Sequence, residues 1–218
     1  MKLSEYQTQI RAILNDAGKT RYSDTILLTA LRICLNTYSM ASPHQDDYLF
    51  NVTSTGREQV LSALAGCKYL TIIEISYPYD ANAYQQPSVE NWYSYQTGHD
   101  PAVYFTGSLV PQAGKQILIR YAAAHTIQDL DGGITTTVRA DYEEDLVMGT
   151  AGQAILLRAA SLPESYGSRS KDVGEMIAMG NQLLGSFQAR LASLRSAMVR
   201  SQGPFPSIYW KLDNWDRR

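Results

Sequence analysis

The longest regular pattern in the chain is a seam of apolar and small residues between positions 173 and 198. Its members alternate by four and three: Val173, Ile177, Gly180, Leu184, Phe187, Leu191, Leu194 and Met198. This period is typical of an amphipathic helix that packs against other helices, not of a strand. The pattern predicts a long last helix, and with 44% hydrophobic and 18% charged residues the chain has the composition to bury such a helix in a core.

Helical periodicity also marks the first forty residues and the segment after position 140. The first segment predicts a helical hairpin, with Ser4 and Gly18 as candidate ends of the first helix and Ser23 as the N-cap of the second. A third helix is expected where Asp141 and Glu144 form a capping-box pattern. The sequence LVMGTAGQAILLRAA that follows is apolar on nearly every side, so we expect this helix to be the most buried.

Between these helical segments the period changes to two, which is typical of half-buried strands. Strands are expected at 48–52, 71–77, 92–95, 103–105 and 117–121. Thr55 and Glu58 form another capping-box pattern, which predicts a short helix that ends at Gly66. We therefore expect a small antiparallel sheet with long loops in this region.

These elements predict an α+β, mainly α, fold with about four main helices in a bundle. A small antiparallel β-rich insertion lies between the second and third helices, and an extended C-terminal tail follows the last helix. The expected domains are a discontinuous helical bundle of 1–40 and 139–200, the β-rich insertion 41–138 and the tail 201–218.

Charge is distributed unevenly along the chain, although the formal net charge is only −2. Residues 1–39 carry 5 Lys and Arg against 3 Asp and Glu, residues 40–150 carry 5 against 13, and residues 151–218 carry 9 against 5. The acidic middle and basic flanks are a complementary pair, and the low net charge argues against a DNA-binding module.

The two cysteines, Cys34 and Cys67, have no partner at metal-ligand spacing, and MKLSEYQTQI lacks the apolar run of a signal peptide. A reducing cytoplasm is therefore the expected place of synthesis. No stretch approaches the roughly 20 apolar residues that span a bilayer, so no membrane association is expected. For Cys34, which shares a helix face with Leu31 and Tyr38, we expect a packing role.

The sequence offers little support for catalysis or for a cofactor. His125 follows a predicted strand and has Asp129 and Asp131 nearby, which leaves a small hydrolase as an alternative. A turn at Asp131-Gly132-Gly133 explains the acidic residues better than a calcium loop, because the other ligand positions are missing. We expect no enzyme activity, no metal and no cofactor.

Exposed aromatic and cationic side chains are the candidate functional residues, because both kinds are enriched where proteins bind each other. The first candidate set lies at the end of the last helix and in the tail, and would bind a larger partner or a neighbouring subunit: Arg190, Arg195, Arg200, Phe205, Tyr209, Trp210 and Trp215. The second set lies in the β-rich insertion and would bind a neighbouring subunit or another partner protein: Trp92, Tyr93 and Tyr95. For these aromatics, core filling and partner contact are equally compatible with the sequence.

The order of segments over residues 1–160 resembles the head-to-tail adaptor (connector or neck) proteins of tailed bacteriophages. The likeness rests on LSEYQTQIRAIL, RYSDTILLTALRICLNTYS, YLFNVTSTGREQVLSAL, TIIEISYP, GKQILIRYAAAHTI, TTTV and the acid-started helix after them. It is a match of order and local character, and the insertion at 78–115 and the aromatic tail depart from the smallest members.

This resemblance implies a structural virion protein in the neck, at the head-tail interface, made in the cytoplasm of the bacterial host. Copies of the chain would form a ring, expected to be a dodecamer, that joins the portal protein to a downstream tail or neck protein. Genomic DNA would pass through the ring without specific binding. Another tail-completion or baseplate protein is the alternative within the same class.

Overall fold

The structure is a computed structural model that describes residues 1–84, 86–98, 100–162 and 170–201, with the backbone alone at 170, 171 and 198–201. Within these residues there are four α-helices and six β-strands. The predicted α+β, mainly α, class with a β insertion between the second and third helices is confirmed. The chain divides into two compact units: unit 1 is Met1–Ser42 with the described residues from Ile127 onward, and unit 2 is Pro43–Thr126.

Unit 1 is a helical unit with one hydrophobic core. Its helices are α1 (Leu3–Ile13), α2 (Asp24–Ala41), α3 (Ala140–Ser161) and α4 (Ser170–Ser201). The third helix contacts each of the other three, and its buried face includes Leu146, Ala151 and Ile155. This helix is therefore the central one of the unit, in agreement with a sequence that is apolar on nearly every side.

Small residues let α3 and α4 approach each other closely. A Cβ atom added to Gly152 would lie 2.9 Å from the carbonyl oxygen of Gly180, which is shorter than van der Waals contact allows. Within the seam predicted from the sequence, Leu184 is half-buried and the other members from Gly180 to Leu194 are buried, while Ile177 is 41% exposed. Close backbone approach therefore holds the middle of α4 against α3.

The helix ends follow the sequence predictions only in part. Ser23 is the N-cap of α2, where its side chain accepts a hydrogen bond from the N–H of Ile26. The caps predicted at Ser4 and Asp141 are wrong, because α1 begins at Leu3 and α3 begins at Ala140. The predicted end of α1 at Gly18 is also wrong, since the residues after Ile13 form the turn that leads to α2.

Unit 2 contains two three-stranded antiparallel sheets instead of the single small sheet that the sequence suggested. Sheet A has the order β1 (His44–Asn51), β6 (Gln116–Ala123) and β3 (Tyr69–Ser76), and sheet B has the order β2 (Glu58–Val60), β5 (Asp100–Phe105) and β4 (Trp92–Thr97). Ile117 and Ile119 of sheet A share one core with Val103 and Phe105 of sheet B. Each sheet therefore has one face on this core and one face turned away from it.

The short helix predicted between Thr55 and Gly66 is wrong. The segment instead forms β2 and then a 3₁₀-helix at Ser62–Gly66. Glu58 pairs with Tyr104 of β5, and the Thr55 hydroxyl accepts the N–H of Ala113, so neither side chain caps a helix. Pairing with a strand distant in sequence overrides the local capping pattern here.

Candidate interaction surfaces

Sheet B presents a cluster of tyrosines on the face opposite its core. In the register of β4 and β5, Tyr93 lies opposite Tyr104 and Tyr95 lies opposite Ala102, and side chains two residues apart share a face. The ring centroids of Tyr93 and Tyr104 are 5.4 Å apart in a stacked arrangement, and those of Tyr93 and Tyr95 are 5.9 Å apart. We call Tyr93, Tyr95, Tyr104 and the neighbouring Glu58 the tyrosine face.

The tyrosine face is open to solvent and bears a carboxylate. Tyr93 is 50% exposed, and Glu58 is exposed beside Tyr104 in the register of β2 and β5. The hydroxyl of Tyr95 donates a hydrogen bond to Glu58, and this bond raises the pKa of Tyr95 above its usual value. Aromatic rings held by each other and by a carboxylate are ordered before any partner binds, which lowers the entropy cost of binding.

Trp92 lies on the other face of the same strand. It is paired with Phe105 and packs, half-buried, against the core of unit 2. The predicted set Trp92, Tyr93 and Tyr95 therefore divides between the two faces, because neighbouring residues of a strand point in opposite directions. Tyr93 and Tyr95 lie together, and Trp92 contributes to packing.

Two members of the tyrosine face, Tyr104 and Glu58, are not among the residues predicted from the sequence. Glu58 fits a helix-capping pattern, and Tyr104 is one residue of a predicted strand without a feature that marks it as functional. The pairing of β2, β5 and β4 brings both beside Tyr93. The sequence signal for Tyr104 is its place between Val103 and Phe105 in a strand, where neighbouring residues face opposite sides. In the structure Val103 and Phe105 are buried and Tyr104 is half-buried.

The last helix carries part of the first candidate set. Arg190 is exposed, and its Nε lies 3.4 Å from Oδ1 of Asp145 on α3. Arg195 lies five residues later and is exposed, and within the described residues it has no ion pair. The side chain of Arg200 and the predicted tail residues Phe205, Tyr209, Trp210 and Trp215 lie outside the described residues.

The outward face of sheet A is polar and largely neutralised within the sheet. Arg120 of the central strand lies 3.1 Å from Asp47 on one neighbouring strand and 3.1 Å from Glu74 on the other. A depression of about 220 Å³ beside Arg120 is lined also by Ser76 and Leu118. Because both carboxylates already bind Arg120, this face offers a partner less unpaired charge than the tyrosine face does.

The histidine and aspartates considered for hydrolysis have structural contacts. His125 is 5% exposed and belongs to unit 2, where its ring centroid lies 5.8 Å from that of His44. Asp131 belongs to unit 1 and accepts hydrogen bonds from Nε and Nη2 of Arg32 at 2.8 and 2.6 Å. A carboxylate held by an arginine in this way is poorly placed to orient a general base.

The predicted turn at Asp131-Gly132-Gly133 is confirmed. The N–H of Asp129 donates to the carbonyl of Gly133 at 2.9 Å, and Asp131 and Gly132 adopt φ of 52° and 78°. A Cβ atom at Gly133 would lie 2.4 Å from the carbonyl oxygen of Ile127, so this position requires glycine. The described residues contain no group of three or more His, Cys, Asp and Glu side chains that could hold a metal.

The cysteines lie in different environments. Cys34 is part of the core of unit 1, which confirms its predicted packing role, and burial raises its pKa to about 12 against a smaller opposing effect of the Thr150 hydroxyl. Cys67 is exposed in unit 2. Over the part of the chain that the structure describes, no helix is both long and apolar enough to span a membrane.

Comparison with known proteins finds similar solved structures, among them two from GTA particles. The neck of an empty GTA particle computed with C6 symmetry contains a chain that is 15% identical, with a TM-score of 0.33 over 69% of this chain and 76% of that one. The neck of a native GTA particle computed with C12 symmetry gives 16% identity and a TM-score of 0.30 over 72% and 76%. At these values the likeness carries no argument about function. No protein-family model matches the chain, and no curated protein matches it.

Proposed function

We propose that the chain is a structural virion protein, a head-to-tail adaptor whose copies form a ring between the portal and a downstream tail or neck protein. The proposed location is the neck of the particle, after synthesis in the host cytoplasm. The ring extends the channel through which DNA passes, and the protein acts by burying surface against its neighbours without making or breaking bonds.

The observation that carries this proposal is the tyrosine face. Three tyrosine rings are ordered on the side of sheet B that is turned away from the core, with Tyr93 half exposed. Tyrosines are enriched in protein interfaces because they bury large apolar area and keep a polar end, and they frequently supply most of the binding energy. A sheet face of this composition suits a protein that works by contact with other chains.

The sequence resemblance and the charge distribution support the same role. The segments that resemble phage adaptors run in the order helix, helix, strands, helix, as does the chain from α1 to α3. A ring requires two different complementary surfaces on each copy, and the acidic middle and basic end of the chain provide opposite charges for such contacts.

The decisive experiment mixes the purified chain with its cognate portal and measures particle mass by native mass spectrometry and negative-stain electron microscopy. We expect a ring of chains on each portal, with the dodecamer as the expected number. A chain that leaves the portal bare at micromolar concentrations would overturn the proposal. Binding to a tail-completion or baseplate protein instead would identify it as another component of the tail.

Deletion of residues 203–218 tests the proposed role of the tail in the same assay. The deleted region contains Phe205, Tyr209, Trp210 and Trp215, which we propose to dock on the portal or on a neighbouring subunit. We expect the truncated chain to keep its helical circular dichroism and to lose portal binding. A truncated chain that binds the portal as well as the full chain does would remove the tail from the interface.

A further inference from the structure

We infer that the tyrosine face of one copy binds Arg195 of a second copy. This inference rests on the proposed function, because it names the partner of one surface of the proposed ring. It assigns both sides of a contact, and two residues of the tyrosine face, Glu58 and Tyr104, are outside the set predicted from the sequence.

The chemistry of the tyrosine face fits a cation. Arginine guanidinium groups stack on aromatic rings and bind carboxylates through their N–H groups. In the register of sheet B, Glu58 and Asp100 lie on the same face as Tyr93 and Tyr104, and no lysine or arginine of β2, β4 or β5 does. Stacked rings beside the carboxylate of Glu58, with Asp100 farther along the same face, therefore form an acidic aromatic surface.

The same combination of groups already occurs inside unit 1. The guanidinium carbon of Arg158 lies 4.9 Å from the centre of the Tyr22 ring, and that of Arg139 lies 5.4 Å from the Tyr142 ring while its Nη2 binds Asp141. The Arg139 arrangement combines a tyrosine ring and a carboxylate around one guanidinium group. The tyrosine face offers these two components together, and among the described residues of sheet B no lysine or arginine joins them.

Arg195 is the cation on α4 best suited to this surface. It is exposed and has no carboxylate partner among the described residues, whereas Arg190 lies next to Asp145. No acidic residue occurs between Met176 and Ser201, so all the charged side chains in this stretch of α4 are positive. The opposite charges of the two surfaces favour their association over the pairing of either surface with its own kind.

A contact between two different patches on identical chains is head-to-tail. Such contacts repeat from copy to copy and give a closed ring or an open filament, depending on the rotation between neighbours. The inferred contact therefore has the geometry that a ring protein needs, and it can be measured on the chain alone without a portal.

Reversal of the two charges tests the contact in full-length protein. We expect Arg195→Glu and Glu58→Arg each to weaken self-association, measured by sedimentation equilibrium, by about tenfold or more. An equimolar mixture of the two variants should associate nearly as well as the unaltered chain, because each Glu58→Arg copy complements its Arg195→Glu neighbours on both sides. Tyr93→Ala should weaken association as well.

Matched controls separate this contact from general charge and solubility effects. Arg21→Glu makes the same charge change at another exposed arginine, and Tyr84→Ala removes a tyrosine that is 100% exposed. Both controls should associate like the unaltered chain, and all variants should melt within a few degrees of it.

Several results would overturn the inference. It fails if the unaltered chain stays monomeric at about 100 μM, because its affinity for itself would then be too weak for a ring contact. The same holds if the equimolar mixture of the two variants does not recover self-association. It also fails if Arg195→Glu reduces binding to DNA and leaves self-association unchanged. Portal binding is a separate measurement: a chain that self-associates as inferred and ignores the portal would overturn the proposed function and leave this contact standing.

Discussion

The ring of Phe187 on α4 lies against the backbone of Gly149 on α3, so closely that a Cβ atom at Gly149 would stand 2.5 Å from Cγ of Phe187. Phe187 is 2% exposed and has little room to move. Gly149→Ala should therefore force the two helices apart and lower the free energy of unfolding by about 1–3 kcal/mol. Urea unfolding followed by far-UV circular dichroism measures this change.

Gly185→Ala on α4 is the matched control, because among the described residues no atom outside the adjoining turns of α4 lies within 4 Å of a Cβ added there. Alanine is a better helix former than glycine, so this variant should be more stable by up to about 1 kcal/mol. The two substitutions are chemically identical and should change stability in opposite directions. Equal effects would show that α3 and α4 do not approach as described.

The helices could be predicted from the sequence because their signal is local and long. The seam from Val173 to Met198 is visible from the helical period alone. The cap at Ser23 depends only on a side chain that bonds to the backbone three residues away. Glu58 shows where such reasoning fails. Its spacing from Thr55 fits a capping box, yet pairing with β5 places it in a strand, and this pairing depends on residues more than 40 positions away.

The candidate surfaces could be predicted by residue type but not by arrangement. Tyr93 and Tyr95 were identified because aromatic residues cluster in the insertion. Alternation along a strand shows which residues share a face, but the tertiary fold decides which of the two faces is buried. Trp92 was grouped with Tyr93 for this reason, and Tyr104 was left out.

The opposite positions of Trp92 and Tyr93 predict opposite experimental effects. Trp92→Ala should lower the free energy of unfolding by about 2–3 kcal/mol, because a half-buried indole leaves the core of unit 2. Tyr93→Ala should change stability by less than about 1 kcal/mol, because half of that side chain is already exposed. Thermal melts of the two variants measure the difference. A Tyr93→Ala chain as unstable as Trp92→Ala would mean that the tyrosine face fills a core.

Arg11 should be the arginine in unit 1 on which stability depends most. It is 5% exposed, and its guanidinium binds Asp16 at 2.9 Å, Asp24 at 2.6 Å and the carbonyl oxygen of Tyr22 at 3.0 Å. Arg11→Met leaves the buried carboxylate of Asp16 without its cation and should cost about 3–5 kcal/mol. Urea denaturation at neutral pH gives the value.

Arg32→Met is the control for Arg11→Met, since Arg32 also binds an aspartate through two hydrogen bonds but does so at the surface. Solvent screens that pair, so the loss should be at most about 1 kcal/mol. A similar loss in both variants would indicate that burial does not distinguish the two ion pairs.

The stability of unit 1 should depend on pH through Asp16. Burial opposes ionisation of Asp16, but the N–H groups of Arg21, Tyr22 and Thr20 donate to its carboxylate and hold its pKa below the usual value. A pKa lowered by folding means that the carboxylate stabilises the fold fully at pH values above the unfolded pKa, about 3.9. This stabilisation is lost as the pH falls from there through the lower pKa of the folded state.

Asp16→Asn should therefore be less stable than the unaltered chain at pH 7, and the gap in free energy of unfolding between the two chains should narrow below about pH 4. Urea unfolding of both chains across this range, followed by circular dichroism, measures the gap. A gap that stays constant down to pH 2 would show that Asp16 contributes by its shape and hydrogen bonds, not by its charge.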